Sequence, residues 1–177
     1  MPSQGVCRDL LAARCLYRLF ALPLGREASL DELLDRYCQA IAQTGKTMHS
    51  LGVAAACEHC ALKAGGSCCF PGVENKYDKV LLLINFLLGY PPPETAEIKG
   101  KCLFVGKQGC KLLARHYYCQ RFLCDDLKAE LGEAAVQHLT ETVAQELAIG
   151  WEVEQTLRQC LKKVEAPEQP ALASPKR

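Results

Sequence analysis

The sequence predicts a mainly α-helical fold in which helices pack around a loop-rich core that carries cysteines. Apolar residues recur every three or four positions near both ends of the chain, which is typical of helices with one buried face. Between these ends, residues 57–124 hold eight of the twelve cysteines and are punctuated by Gly-Gly, Pro-Gly and a triple proline. We therefore expect one domain over residues 1–164, with its cysteine core at 57–124, and a disordered tail at 165–177.

Two helices are predicted before the cysteine-rich segment. The first covers about residues 6–24, where Leu10, Leu11 and Leu19 follow helical spacing, and we expect it to end near Pro23 and Gly25. The second is expected to start at a capping box, because Ser29 is followed three residues later by a glutamate, and to run to about residue 50.

Three further helices are predicted from the middle to the end of the chain. Residues 77–88 form a nearly continuous apolar run that we expect to be buried, and the prolines at 91–93 stop it. The paired aspartates at 125–126 suit the first turn of a helix. A long apolar pattern then runs from 132 to 164, with Leu147 and Trp151 among its positions and Gly150 as its expected interruption.

Composition narrows the class of protein. A chain that is 49% hydrophobic can bury a core, and a net charge of +1 gives no support for a nucleic-acid binder driven by phosphate contacts. No apolar run approaches the roughly 20 residues that cross a bilayer, and charges interrupt the N-terminal apolar stretch. We expect a cytoplasmic protein without nucleic-acid or membrane partners. In that reducing compartment dense cysteines indicate metal or redox chemistry, whereas in a secreted chain they would indicate disulfides.

The cysteines of the middle segment are arranged like metal ligands. A C-x-x-C pair and a vicinal pair come first, and four single cysteines follow. A C-x-x-C spacing lets two thiolates approach one metal from a single turn, as in zinc and iron–sulfur sites. Eight thiolates could complete two four-cysteine sites, or one site with the remaining thiols in structural roles. The candidate ligands are Cys57, Cys60, Cys68, Cys69, Cys102, Cys110, Cys119 and Cys124.

Positive charge accompanies these cysteines. Residues 99–124 contain six basic side chains and no acidic one, which we interpret as compensation for thiolate charge; the alternative is a solvated basic surface. His59 and His116 are the histidines that could replace a thiolate.

The order of these motifs resembles the YkgJ-type family of zinc- or iron-chelating proteins with a CxxCxxCC block. The matching elements here are the C-x-x-C, the vicinal pair, Cys102-Leu103-Phe104, Gly109-Cys110 and the block Cys119-Gln-Arg-Phe-Leu-Cys124. The resemblance covers roughly residues 57–124, and the chain departs from it by placing seven residues rather than two before the vicinal pair. It implies all eight cysteines as the matching ligand positions, with one or both of the vicinal pair coordinating.

Three functions stay open on this basis. The first is an iron–sulfur protein that transfers electrons to a redox partner. The second is a non-enzymatic zinc module in which metal supplies folding energy and the helices bind a protein partner. The third, implied by the resemblance alone, is a methylase-related role. The sequence leaves open whether the chain is an enzyme.

Two further patterns receive simpler interpretations. The cysteines outside the middle segment, Cys7, Cys15, Cys38 and Cys160, lie on helical patterns and are expected to be buried as small apolar side chains. Tyr117-Tyr118, flanked by Arg115 and Arg121, could stack on a base, but we interpret the two tyrosines as packing residues.

Overall fold

The computed structural model describes residues 3–24, 28–62 and 67–165, and within them it is mainly helical. The predicted tail beyond residue 165 and the turn glycines Gly65 and Gly66 lie outside the described residues. The elements in chain order are α1 (Gln4–Leu24), α2 (Ala28–Ser50), α3 (Val53–Leu62), a 3₁₀ helix (Val73–Lys76), α4 (Lys79–Leu87), β1 (Val105–Gly106), β2 (Gly109–Cys110), α5 (Tyr117–Arg121), α6 (Asp125–Leu131) and α7 (Glu133–Glu165).

All five predicted helices are confirmed, as α1, α2, α4, α6 and α7. Ser29 does not cap α2, because that helix already begins at Ala28. Helix α3 was not predicted. Its Ala-rich sequence has no apolar periodicity, and of its residues only Val53 and Ala61 are buried.

Helices α2 and α7 form the longest packed pair. Arg36 near the start of α2 pairs with Glu152 at 3.7 Å, whereas Met48 near its end packs against a cluster that contains Leu139. The two helices are therefore antiparallel.

Gly150 allows this pair to approach closely and does not interrupt α7, so the expected interruption is wrong. A Cβ atom at residue 150 would lie 2.9 Å from the ring of Tyr37, which is itself buried on α2. The glycine thus makes room for the tyrosine.

Helix α4 lies at the centre of the main core, which confirms its predicted burial. Helices α1 and α7 pack on this apolar helix, where the sequence predicted that helices surround a cysteine-rich core. Six of its nine residues are buried, and α1 packs against it with Tyr17 stacked on Phe86 at a ring distance of 5.5 Å. A second, smaller core joins the end of α2 to α3, α6 and the first half of α7. Its buried members are Val53, Leu127, Leu139 and Val143.

Asn85, the polar residue within the apolar run of α4, binds the backbone of residues 113–114. Its side-chain oxygen accepts hydrogen bonds from the N–H groups of Leu113 and Ala114 at 3.0 and 3.1 Å. Its amide group donates to the carbonyl oxygens of Leu81 and Ala114 at 3.0 and 2.9 Å. A fully buried polar side chain with every bond satisfied fixes the path of the chain between β2 and α5.

The strands β1 and β2 form a short antiparallel hairpin in which Val105 pairs with Cys110 and Gly106 with Gly109. Gly109 has a φ of +91°, the left-handed conformation that this tight turn requires and that glycine adopts without strain.

Surface positions correct two sequence expectations. Cys7, Cys15 and Cys38 are exposed, and only Cys160 of the four outlying cysteines is buried. The buried side chains of α1 are Val6, Leu10 and Ala13, so a cysteine one or two positions away faces another direction on the helix. Trp151 was expected on the apolar face of α7 and is instead 63% exposed. Among the described residues, no helix combines the length and the apolar character needed to span a bilayer.

Candidate metal centre

Helix α3 presents the first two candidate cysteines. Cys57 and Cys60 are three positions apart on the helix, which puts them on the same face. Helix α3 lies against β2, the strand that ends in Cys110. The C-x-x-C pair is therefore helical, where the sequence suggested a loop, and Glu58 between its two cysteines lies beside Gly109 of the hairpin.

The vicinal pair is anchored to the segment before the hairpin. The carbonyl oxygen of Cys69 accepts a hydrogen bond from the N–H of Cys102 at 2.9 Å, and the N–H of Cys69 donates to Ser67 at 3.2 Å. Cys102 is buried, whereas Cys68 and Cys69 are half-buried. Two parts of the chain that are 33 positions apart thus meet at their cysteines.

Tyr77 fixes the segment 116–119, which carries the next candidate cysteine. Its hydroxyl lies 3.7 Å from the sulfur of Cys119 as a donor, and it accepts a hydrogen bond from the N–H of His116 at 3.1 Å. The His116 carbonyl oxygen accepts from the N–H of Cys119 at 2.8 Å. Sequence reasoning missed Tyr77, because nothing in a local pattern indicates a contact across 42 positions. Cys124 lies immediately beyond, as the residue that precedes the first turn of α6.

Pairwise electrostatic interactions connect the eight candidate cysteines in one network. Burial is the main cause that raises the pKa of the Cys57 thiol to about 11, and the charges of Cys68, Cys60 and Cys124 raise it further. Burial likewise raises the pKa of Cys102 to about 12, with contributions from Cys110 and Cys119 among others. The interactions link all eight thiols into one group drawn from four stretches of the chain.

Cys110 is the exposed residue at the end of β2. The surrounding protein nevertheless raises the pKa of its thiol above the ordinary value, and the guanidinium of Arg115 acts in the opposite direction.

The thiols of Cys68 and Cys69 have pKa values shifted in opposite directions. A hydrogen bond from the Cys69 thiol is the main cause that lowers the pKa of Cys68, and the same bond, together with burial, raises the pKa of Cys69. Cys68 is the member of the pair that ionises first, and thiolates are the form that binds metals.

Part of the positive charge that was predicted to compensate the thiolates lies near them. The guanidinium of Arg115 lowers the thiol pKa values of Cys57, Cys110 and Cys119 against the raising effect of burial, and Lys101 does the same for Cys68. Other basic residues act elsewhere, since the ammonium of Lys111 pairs with Glu97 at 2.5 Å.

The histidines do not join the group. The Nδ1 atom of His116 accepts a hydrogen bond from the N–H of Tyr118 at 3.2 Å and so caps α5, while His59 is exposed on α3. Over the described ranges, no three histidine, cysteine, aspartate or glutamate side chains are arranged as a ready-made metal site. The eight cysteines are thus neighbours without being a preformed ligand set.

Comparison with family models, with curated proteins and with solved structures finds no match to this chain.

Proposed function

We propose that the protein binds metal through the cysteines of residues 57–124, as an iron–sulfur protein that transfers electrons. The observation that carries the proposal is that mutual electrostatic interactions link eight cysteine thiols from α3, the 67–72 loop, the segment 102–110 and the 119–124 segment. The candidate ligands are Cys57, Cys60, Cys68, Cys69, Cys102, Cys110, Cys119 and Cys124.

The donor chemistry fits a thiolate-bound cofactor. None of the eight cysteines is in a disulfide, and four deprotonated thiols are the usual ligands of both a [4Fe–4S] cluster and a structural zinc ion. Several of these thiols have raised pKa values, which disfavours bare thiolates gathered in one place. A bound cation would remove that cost, because metal binding releases the thiol protons.

The surrounding residues would support such a cofactor. An iron–sulfur cluster held here would supply one-electron transfer. Tyr77 donates its hydroxyl hydrogen toward Cys119, and Arg115 and Lys101 place positive charge near the thiols. Hydrogen bonds to sulfur and nearby charge are the factors by which a protein sets the potential of a cluster.

A structural zinc module is the second candidate, and exposed apolar side chains favour it. Leu62, Phe70 and Phe122 lie within two or three residues of candidate ligands and are 43–56% exposed. Apolar side chains held at the surface beside a metal-ordered segment would suit contact with a protein partner.

Metal analysis of protein purified without oxygen tests the proposal and separates the two candidates. We expect iron with acid-labile sulfide and a brown colour for the first candidate, and a colourless protein with zinc for the second. Protein that contains neither metal, and in which mass spectrometry finds these cysteines paired as disulfides, would overturn both.

Matched serine variants locate the site. Cys57→Ser and Cys119→Ser are expected to lose most of the metal, because each removes a candidate ligand. Cys7→Ser and Cys38→Ser remove exposed cysteines outside the group and are expected to keep the wild-type metal content. Equal metal content in all four variants would remove Cys57 and Cys119 from the site.

A further inference from the structure

A cavity of about 460 Å³ opens beside the cysteine group, between α7, α2 and the segment 115–121. Its volume lies within the range of about 300–1,000 Å³ that is typical of small-molecule sites. Arg115 lines it and also acts electrostatically on three of the candidate cysteines, so the cavity adjoins the group. None of the eight cysteines lines it.

The charged groups at the cavity favour an anion. Three cations line it, Lys76, Arg115 and Arg121, against two carboxylates, Asp78 and Glu154. Both carboxylates are already bound by the guanidinium of Arg158 from α7. Arg121 is exposed and makes no ion pair within the described part of the chain, so its guanidinium is available to a ligand.

The aromatic groups at the cavity favour a planar ring. Tyr117 is 61% exposed and Trp151 is 63% exposed, and both line the cavity. The interpretation of Tyr117 as a packing residue is therefore wrong; its ring is held by the imidazole of His116, with the ring centres 4.5 Å apart. Aromatic faces kept in solvent next to arginines are the combination that stacks on nucleobases and binds phosphate.

We propose that this cavity is a binding site for a free nucleotide, with its phosphate at Arg115, Arg121 and Lys76 and its base against Tyr117 or Trp151. The proposal does not require the metal, since none of its residues is a candidate metal ligand, although Arg115 acts on both sites.

Trp151 provides a direct reporter, because it is the only tryptophan of the chain. The experiment titrates the anaerobically purified full-length protein with AMP and follows tryptophan fluorescence. We expect saturable quenching by AMP, and binding at least about tenfold weaker for adenosine, which lacks the phosphate, and for inorganic phosphate, which lacks the base.

Variants test the residues. Arg121→Gln is expected to weaken AMP binding about tenfold, the effect of losing one charge-assisted hydrogen bond, and Tyr117→Leu is expected to weaken it as well. Both side chains are exposed, so the fold should tolerate either change. Lys163→Gln removes an exposed positive charge nine positions beyond Glu154 on α7 and is expected to leave binding unchanged.

Three results would overturn the proposal. The first is the absence of saturable quenching by AMP. The second is that adenosine or inorganic phosphate binds as tightly as AMP. That result would mean that the site does not recognise the phosphate, or does not recognise the base. The third is equal weakening by Arg121→Gln and Lys163→Gln, which would assign the effect to overall charge.

Discussion

Asp78 links two helices through one carboxylate. It caps the start of α4 by accepting hydrogen bonds from the N–H groups of Val80 and Leu81 at 3.0 and 2.9 Å, and it also binds Arg158 of α7. Burial alone would raise the pKa of Asp78, but the Leu81 N–H and the Arg158 guanidinium outweigh it and hold that pKa below the ordinary value. The ionised form is therefore the one that stabilises the fold.

The stability that depends on this carboxylate should be lost in acid. Because its folded pKa lies below the unfolded value of about 3.9, its contribution is complete above that pH and disappears as the pH falls through the folded value. Asp78→Asn keeps a capping oxygen and loses the charge, so we expect it to be about 0.5–1 kcal/mol less stable than wild type at neutral pH. Urea unfolding at neutral pH and at about pH 2.5 measures this, and the difference should be smaller in acid.

Asp78→Ala removes the cap as well and is expected to cost about 1 kcal/mol more at neutral pH. A stability difference between wild type and Asp78→Asn that stays constant down to about pH 2.5 would contradict the role assigned to the charge.

The candidate site could be predicted residue by residue only where residue type carries the signal. Cysteine spacing indicated the eight thiols that pairwise electrostatic interactions connect in the fold. Tyr77 and Asn85 could not be predicted as supporting residues, because their partners are 28 to 42 positions away and only the tertiary fold joins them.

At the scale of elements, glycines in helices have opposite roles. Gly150 on α7 makes room for Tyr37, whereas a Cβ atom at Gly45 on α2 would meet nothing within 4 Å. Helical periodicity predicted both helices, but it could not distinguish a glycine that weakens a helix from one that lets two helices approach.

Alanine substitution at these two positions should therefore change stability in opposite directions. Gly150→Ala gains about 1 kcal/mol of helix propensity but forces Tyr37 to move, so we expect a net loss of about 1–2 kcal/mol. Gly45→Ala has only the gain and should stabilise the protein by about 0.5–1 kcal/mol. Chemical denaturation of both variants measures the signs, and a stabilised Gly150→Ala would show that Tyr37 can be displaced at little cost.

At the scale of the whole molecule, the chain divides into a part that apolar packing specifies and a part that it does not. Helices α1, α2, α4 and α7 follow from apolar periodicity, because each buries one face or nearly all of its length. Residues 67–72 and 99–124 contain only short elements. Of their cysteines, Cys102 belongs to the main core, and Cys69 and Cys119 pack against it. The helical class of the fold was therefore predictable, and the path of this second part was not.

Removal of metal should loosen this second part selectively if the proposed centre exists. Metal that binds the folded chain stabilises it by about 2.7 kcal/mol when its concentration is a hundred times the dissociation constant. The stabilisation acts on the segments that supply ligands, because their thiols must otherwise remain protonated side by side.

Hydrogen exchange of the metal-bound and the chelator-treated protein measures the difference. We expect faster exchange in residues 67–72 and 99–124 after chelation and unchanged protection in α2 and the second half of α7, which pack without cysteine ligands. Equal acceleration along the whole chain would mean that the metal supports the global fold, and no change in any segment would remove these cysteines from a structural role.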